Sequence, residues 1–167
     1  MIGKIKNTSN TAFREIDLSF CRPNKDFGRG FYLTPDREAA DRMALRTVRR
    51  FDGRPYVMTF EFDDSVLGDV PVKRFAMPTE EWAMFVMANR RPDALAEDHN
   101  RDNRYGLVVG PVANDDLALL FRQFALGLVT VEMMVREMRY KQLTVQYSFH
   151  TPVALAALSF VGVDDVC

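Results

Sequence analysis

The sequence has few of the residues on which metal sites, disulfide frameworks and the common nucleophilic catalysts depend. Its 167 residues include only two cysteines, Cys21 and Cys167, and two histidines, His99 and His150. Two cysteines at this separation form neither a disulfide framework nor a metal-ligand spacing. A Ser-His-Asp site would rest on one of the two histidines, and neither has a sequence context that indicates one. We therefore expect no metal.

Long apolar runs and an excess of charge of one sign are also missing. No apolar stretch reaches the roughly 18 residues that a membrane span needs, and Met1 to Lys4 do not open the apolar core of a signal peptide. The 22 Lys and Arg against 23 Asp and Glu leave a formal charge of -1, which gives no global attraction to nucleic acid or to an anionic membrane. We expect a cytoplasmic protein without a membrane partner, and its charge implies no nucleic-acid partner.

The chain does contain enough hydrophobic material for one core. Its composition is 47% hydrophobic, and its length suits a single domain over residues 1–167. Predicted strands are short, and they are interspersed with helices without a regular βαβ rhythm. This pattern favours an α+β fold with a split or mixed sheet over a doubly wound parallel sheet.

Helices and strands are predicted from apolar periodicity and from start and stop signals. Thr34-Pro35 predicts the start of a helix of roughly fifteen residues that ends at Asp52-Gly53. Further helix starts are predicted at Pro78, at Asn114-Asp115-Asp116, at Thr130 and at Thr151-Pro152. Strands are predicted over residues 56–62, 70–75, 105–110, 143–150 and 160–161, and residues 1–10 are assigned an edge strand with a turn at 7–10. The run 90–104 is assigned to a loop, and Met133, Met134 and Met138 to the core.

The stretch that carries most information is Asn24 to Pro35, N-K-D-F-G-R-G-F-Y-L-T-P. Gly28 and Gly30 allow a positive φ or the close approach of a ligand. Residues 31–33 predict a short buried strand, because aromatic residues suit a half-buried pleated surface. Tyr32 would then stand between a flexible loop and a helix, as ligand-facing aromatic residues often do. A glycine-rich turn followed by an ordinary core tyrosine accounts for the same pattern.

The predicted strand over residues 143–150 alternates apolar and polar residues. Val145, Tyr147 and Phe149 share one face, while Thr144, Gln146, Ser148 and His150 share the other. A strand buried on both faces is apolar throughout, so the polar face indicates solvent or a cleft. His150 either lines that cleft or decorates the end of the strand, and the second interpretation is slightly favoured.

Several motifs in this order resemble a bacterial family of unknown function defined by a K-D-F-G-x-G-F-Y-x-T signature. They are K-D-F-G-R-G-F-Y-L-T, W-A-M-F-V-M-A-N-R, G-P-V-A-N-D-D and Q-Y-S-F-H-T, running from Lys25 to Thr151 and so covering nearly the whole chain. That family is placed in the ADP-ribosyltransferase-like superfamily. The resemblance implies a split mixed sheet with flanking helices and a central cleft that grips NAD.

The resemblance also implies roles for individual residues. Tyr32 matches the second motif of the superfamily and would stack on the nicotinamide ring. Gln146 matches the third motif, usually a Glu, and would hydrogen-bond the nicotinamide ribose. Asn7 stands where the first motif has a His. The other cofactor-binding residues that the resemblance implies are Thr8, Ser9, Gly28, Arg29, Gly30 and Ser148, with Arg22 and Arg29 near the pyrophosphate.

Catalytic activity is a separate question, because the neutral residues Asn7 and Gln146 stand where the superfamily usually has a His and a Glu. Losing one donor at the developing charge can cost about 100- to 1000-fold in rate, and a substitute carboxylate would have to come from Asp26, Asp115 or Asp116. One hypothesis is a toxin-type ADP-ribosyltransferase or NAD glycohydrolase with a macromolecular acceptor and a small antitoxin-like partner. A second is a degenerate, non-catalytic module that binds a nucleotide or a protein. A third is a soluble α+β domain without an NAD site.

Overall fold

The structure is a computed structural model that describes residues 2–91, 97–112, 115–139 and 143–166. Within these ranges, seven strands form two sheets and five α-helices pack around them. The predicted α+β class is therefore confirmed at the level of a mixed architecture with two sheets. None of the helices in these ranges has the length and apolarity to cross a membrane.

The elements follow the irregular order that the sequence predicts. The strands are β1 (Ile2–Ser9), β2 (Phe31–Leu33), β3 (Tyr56–Asp63), β4 (Val72–Arg74), β5 (Leu107–Pro111), β6 (Val145–Phe149) and β7 (Leu158–Asp165). The α-helices are α1 (Arg37–Phe51), α2 (Glu80–Arg90), α3 (Asp115–Ala125), α4 (Val131–Arg139) and α5 (Pro152–Leu155). Asn114, predicted to help start α3, lies outside the described residues.

Within the described residues, one isolated backbone bridge links the two sheets. One sheet is antiparallel with strand order β1-β3-β7, and the other is mixed with order β2-β6-β5-β4, in which β4 and β5 run parallel. The backbones of Lys6 and Thr34 exchange two hydrogen bonds of 2.8 and 2.9 Å between β1 and the end of β2. Elsewhere β1 pairs with β3 and β2 pairs with β6, so the sheets part on leaving the bridge.

The inner faces of the two sheets pack against each other through aromatic residues. Phe31 meets Phe60, and Phe62 meets Phe149, both edge to face with ring centroids 5.5 Å apart. Buried apolar residues from both sheets complete this core: Ile5, Leu33, Met58, Leu107 and Val109.

Helices cover the outer faces of both sheets. Ala40 and Ala44 of α1 pack on Val57 of the three-stranded sheet. The four-stranded sheet is covered by α2, α3 and α4, whose buried residues include Trp82, Phe85, Phe121, Met134 and Met138. The core positions predicted for Met134 and Met138 are confirmed, but the one predicted for Met133 is wrong. Its side chain lies on the solvent face of α4 and is 44% exposed.

Two predictions near the N-terminus are wrong because longer-range contacts outweigh local signals. The predicted turn over residues 7–10 does not form there, since β1 continues through Ser9 and pairs along its whole length with β3. Helix α1 is capped by Asp36, whose carboxylate accepts the Ala39 N–H at 3.1 Å. Thr34, the predicted cap, instead uses its backbone in the bridge between the sheets.

Candidate functional site

Residues 24–30, which we term the signature loop, form a wedge between the four-stranded sheet and α2. Phe27 at the centre of the loop is completely buried. Its ring lies 6.4 Å from that of Phe75 and 6.3 Å from that of Phe85. Gly110 of β5 makes room for it, because a Cβ there would come within 3.2 Å of the Phe27 ring. The middle of the signature loop is therefore part of the core.

The two glycines of the signature loop are required for different reasons. Gly28 has a φ of +92°, and a Cβ there would lie 2.8 Å from the Asn100 carbonyl oxygen. The backbone of Gly30 has no positive φ, but its Cβ would come within 2.6 Å of His150 Nδ1 and 2.8 Å of Ser148 Oγ. Both predicted cofactor-binding glycines thus have a packing role, in which the close approaches are to groups of the protein itself.

A buried ion pair ties the signature loop to the end of α2. Asp26 Oδ1 accepts hydrogen bonds from Arg90 Nε at 2.6 Å and from an Arg90 terminal nitrogen at 2.5 Å. Beside it, the Asn89 side-chain oxygen accepts the Asn100 N–H at 2.7 Å. The Asp26 carboxylate is therefore held by a guanidinium and is not a free substitute for the missing catalytic carboxylate.

Asn89 and Arg90 are partners of the signature loop that were not predicted. The assignment of Arg90 to a loop is wrong, because α2 continues through this residue. Both residues close the W-A-M-F-V-M-A-N-R motif. That motif was the signal that could have identified them.

Tyr32 projects from β2 on the outer face of the sheet, opposite Ser148 in the strand register. Its hydroxyl donates to the Gly28 carbonyl at 2.8 Å and accepts the Phe27 N–H at 2.9 Å. The Tyr32 and Phe27 rings are almost parallel, at 16°, with centroids 6.2 Å apart. The Lys25 ammonium lies 5.0 Å from the Tyr32 ring centroid. The ring is half-buried, between the core and the surface.

Burial controls the protonation of the groups around Tyr32. It raises the pKa of the Tyr32 phenol far above the ordinary value. The nearby Ser148 hydroxyl lowers that pKa by a smaller amount, although its geometry does not complete a hydrogen bond. Burial of the ammonium lowers the pKa of Lys25, although the residue as a whole is exposed, and the Asp26 charge opposes the shift. Tyr32 therefore stays protonated, as its donation to Gly28 requires.

Asn7 lies at the point where the two sheets part. Its Nδ2 donates to the Tyr32 carbonyl oxygen at 2.7 Å, so the structure brings Asn7 to Tyr32 through the backbone of β2. The β1 register places Ser9 on the same face as Asn7 and Thr8 on the opposite face. Thr8 is paired with Val57, which packs on α1. Thr8 therefore lies away from the other predicted residues of the first motif.

Gln146 and Ser148 share the outer face of β6 with Tyr32 of the neighbouring strand, and His150 follows Ser148 just beyond the strand end. Gln146 is half-buried and opposes Gly110 of β5. Ser148 and His150 are 0% and 2% exposed, so the signature loop covers the end of this polar face that carries them. Among the described residues, neither Ser148 Oγ nor His150 Nε2 has a hydrogen-bond partner.

His150 fastens the end of the signature loop. Its Nδ1 lies 2.7 Å from the Arg29 carbonyl oxygen, and because a carbonyl can only accept, Nδ1 carries the proton and Nε2 does not. Burial lowers the pKa of His150 to about 4, so the ring is neutral at physiological pH. The prediction that His150 decorates a strand end is wrong, since its ring packs edge-on against Tyr32. The Arg29 side chain itself is exposed.

Two open cavities in the described part of the structure lie away from Tyr32. One, of about 360 Å³, lies beside Gly106 at the start of β5. The other, of about 200 Å³, lies between Arg90 of α2 and Phe121 of α3. Neither of these two cavities is lined by Asn7, Tyr32 or Gln146. The described ranges contain no cluster of three or more side chains suited to a metal ion.

Comparison with known proteins identifies one family. Residues 4–160 match the family model described as Protein of unknown function (DUF3990). No curated protein and no solved structure matches the chain significantly. The matched span runs from β1 into β7 and includes the signature loop, α2 and β6. The chain therefore belongs to this family of proteins of unknown function.

Proposed function

We propose that this chain is an ADP-ribosyltransferase-like domain that binds NAD where its two sheets part and cleaves the nicotinamide–ribose bond. The observation that carries the proposal is the contact of Asn7 with Tyr32 beside the only bridge between the sheets in the described residues. Ser148 and Gln146 share the face of Tyr32. The K-D-F-G-x-G-F-Y-x-T signature supports NAD as the ligand.

Tyr32 and Gln146 have separate roles in this proposal. The Tyr32 ring offers a flat face to the nicotinamide. The Gln146 amide orients a hydroxyl of the adjoining ribose while the glycosidic bond breaks through an oxocarbenium-like state. A neutral amide stabilises that state less than a carboxylate would, so we expect turnover about 100- to 1000-fold slower than with a carboxylate at this position.

The acceptor of ADP-ribose in this proposal is a macromolecule, or water in the case of simple hydrolysis. A small antitoxin-like protein would restrain the activity in the cytoplasm. Asp26 does not supply the missing charge, because Arg90 holds its carboxylate. The side chains of Asp115 and Asp116 lie outside the described part of the structure, so their contribution is a matter for mutagenesis.

Release of nicotinamide from NAD, followed by chromatography, tests the proposal. We expect slow release by the wild type, none by Gln146→Ala, and release at least about tenfold faster by Gln146→Glu, because the new carboxylate stabilises the developing charge. Gln123→Ala on α3 is the matched control and should behave as the wild type. Absence of release by both the wild type and Gln146→Glu, over a wide range of NAD concentration, contradicts a catalytic function.

A specific observation favours a second candidate, a non-catalytic module that binds a nucleotide or a protein. The Asn7 amide and the Tyr32 hydroxyl are both engaged by backbone groups of the protein itself. Polar groups that are already hydrogen-bonded to the backbone are positioned to shape a binding surface rather than to act on a bond of the ligand. This candidate predicts an increase in melting temperature with NAD and no nicotinamide release.

A further inference from the structure

The formal charge of the chain is close to zero, but its charges are unevenly distributed over the surface. Residues 42–54 contain a single acidic residue, Asp52, and five exposed arginines, which we term the arginine face: Arg42, Arg46, Arg49, Arg50 and Arg54. Four of the five belong to α1, whose Ala40 and Ala44 pack on the three-stranded sheet. The exposed side of this helix is therefore strongly basic.

The helix dipole and ion pairing account for only part of the arginine face. Cations stabilise the last turn of a helix, which applies to Arg49 and Arg50 but not to Arg42 and Arg46. Arg42, Arg46 and Arg50 recur at i, i+4 spacing, where like charges lower helix stability. Arg42 meets Glu38 at 3.6 Å, but both side chains are largely exposed, and such pairs contribute little. Arg49 and Arg50 have no ion-pair partner among the described residues.

Exposed aromatic rings stand at the end of the arginine face. Phe51, the last residue of α1, is 45% exposed, and the Arg22 guanidinium lies 4.7 Å from its ring centroid. Phe20 is 86% exposed. The helix end is held in place, because Asn10 Nδ2 donates to the carbonyl oxygens of Phe51 and Asp52 at 3.4 and 3.1 Å. Exposed rings beside guanidinium groups form a surface on which nucleobases stack.

We propose that the arginine face and Phe51 bind a single strand of nucleic acid. Arginines at i, i+4 are about 6 Å apart along the helix axis, and each guanidinium can pair with a phosphate of the strand. A base next to these phosphates stacks on the Phe51 ring. An acidic protein segment would satisfy the arginines alone, whereas the exposed rings favour a partner that also presents flat bases. A duplex keeps its bases stacked and gains only the electrostatic part.

This inference goes beyond the proposed function and holds whether or not the chain cleaves NAD. The test measures the fluorescence anisotropy of a labelled oligothymidylate of about twelve nucleotides with the whole protein at several salt concentrations. Arg49→Gln combined with Arg50→Gln removes two charges from the arginine face. Arg136→Gln combined with Arg139→Gln is the matched control, because these exposed arginines occupy the last turn of α4, which covers the other sheet.

We expect the wild type to bind the oligothymidylate with an affinity that falls as the salt concentration rises. The Arg49 and Arg50 double variant should bind about tenfold more weakly, and its slope of log affinity against log salt should be smaller by about 1.4, because two phosphate contacts are lost. The control pair should match the wild type within about twofold. Phe51→Leu keeps an apolar side chain without the ring, and it should weaken binding about fivefold without changing the slope.

Absence of binding by the wild type at low salt overturns the inference, as does an equal loss of affinity in the two arginine pairs. So does binding of a duplex of the same length as tightly as the single strand, or a Phe51→Leu variant that binds like the wild type. A polyglutamate peptide that competes as well as unlabelled oligothymidylate also overturns it, because the occupant would then be an acidic protein segment.

Discussion

At the scale of single residues, His150 is the group whose charge state matters most to the fold. Its ring is 2% exposed, its Nδ1 is bound to the Arg29 carbonyl, and its Nε2 has no partner among the described residues. Placing a positive charge there would cost solvation, and no charged side chain among the described residues offsets that cost. The end of the signature loop therefore depends on a neutral histidine.

A pH-dependent loss of stability follows from that burial. The pKa of His150 falls from the ordinary 6.5 to about 4 on folding, so between these values the unfolded chain binds a proton that the folded chain does not. The stabilisation from the neutral ring is complete above pH 6.5 and is lost as the pH falls toward 4, by about 3 kcal/mol in total.

The measurement is the free energy of unfolding in urea at about pH 7.5 and 4.5, for the wild type and for His150→Gln. Between these pH values, the wild type should lose about 2 to 3 kcal/mol more than the variant, which has no group titrating at this position. An equal loss of the free energy of unfolding in the two proteins between these pH values would contradict the prediction that His150 titrates as an isolated buried ring.

At the scale of elements, the junction of β1 and β2 decides how the two sheets are joined. The bridge supplies two backbone hydrogen bonds between Lys6 and Thr34, and the Asn7 side chain adds a third link to Tyr32. On leaving this junction each strand follows its own sheet. The relative position of Asn7 and Tyr32 in the candidate site is therefore set at this junction.

Asn7→Ala tests the junction. Loss of the amide leaves the Tyr32 carbonyl without that donor in a part-buried position, which should lower the free energy of unfolding by about 1 to 3 kcal/mol. The amide protons of Lys6 and Thr34 should also exchange faster with solvent, because the bridge opens more often. Urea unfolding and hydrogen exchange measure the two effects.

Thr8→Ala is the matched control, since the side chain of Thr8 lies on the opposite face of the same strand. We expect a change below about 1 kcal/mol in that variant. Unaltered protection of the Thr34 amide in Asn7→Ala would mean that the side chain does not hold the sheets together.

Element starts were predictable where the signal is local. Thr79, Thr130 and Thr151 each accept a backbone N–H in the first turn of a helix, as hydroxyl caps do. The start of α1 was not predictable in this way. The backbone of Thr34 is used in the bridge to Lys6, and Asp36 provides the cap instead. A pairing between distant segments leaves no trace in the local sequence around Thr34.

At the scale of the whole molecule, the absence of a βαβ rhythm was enough to predict an α+β architecture but not the strand order. The sequence identified Tyr32, Ser148 and the glycines as special, and the structure places them together. It did not reveal that Asp26 would be paired with Arg90. Such pairing depends on how α2 packs against the signature loop, which periodicity cannot specify.

Binding of NAD at Tyr32 is expected to require a local movement of the signature loop. The Phe27 ring and the Lys25 ammonium both lie against the Tyr32 ring, and the two cavities described above are lined by other residues. When only a fraction of the molecules is in the binding-competent conformation, the apparent affinity for the ligand is reduced by that fraction. The affinity for NAD is therefore expected to be modest and to be sensitive to changes in the signature loop.

Calorimetric titration with NAD tests the central claim most directly, because it does not depend on turnover. We predict saturable binding of one NAD per chain, about tenfold weaker in Tyr32→Leu, which loses the aromatic face. Tyr105→Leu, which removes a tyrosine near Phe85 rather than from the candidate site, should leave the affinity unchanged. No heat of binding at millimolar NAD, or equal affinity in Tyr32→Leu and the wild type, would contradict an NAD site at Tyr32.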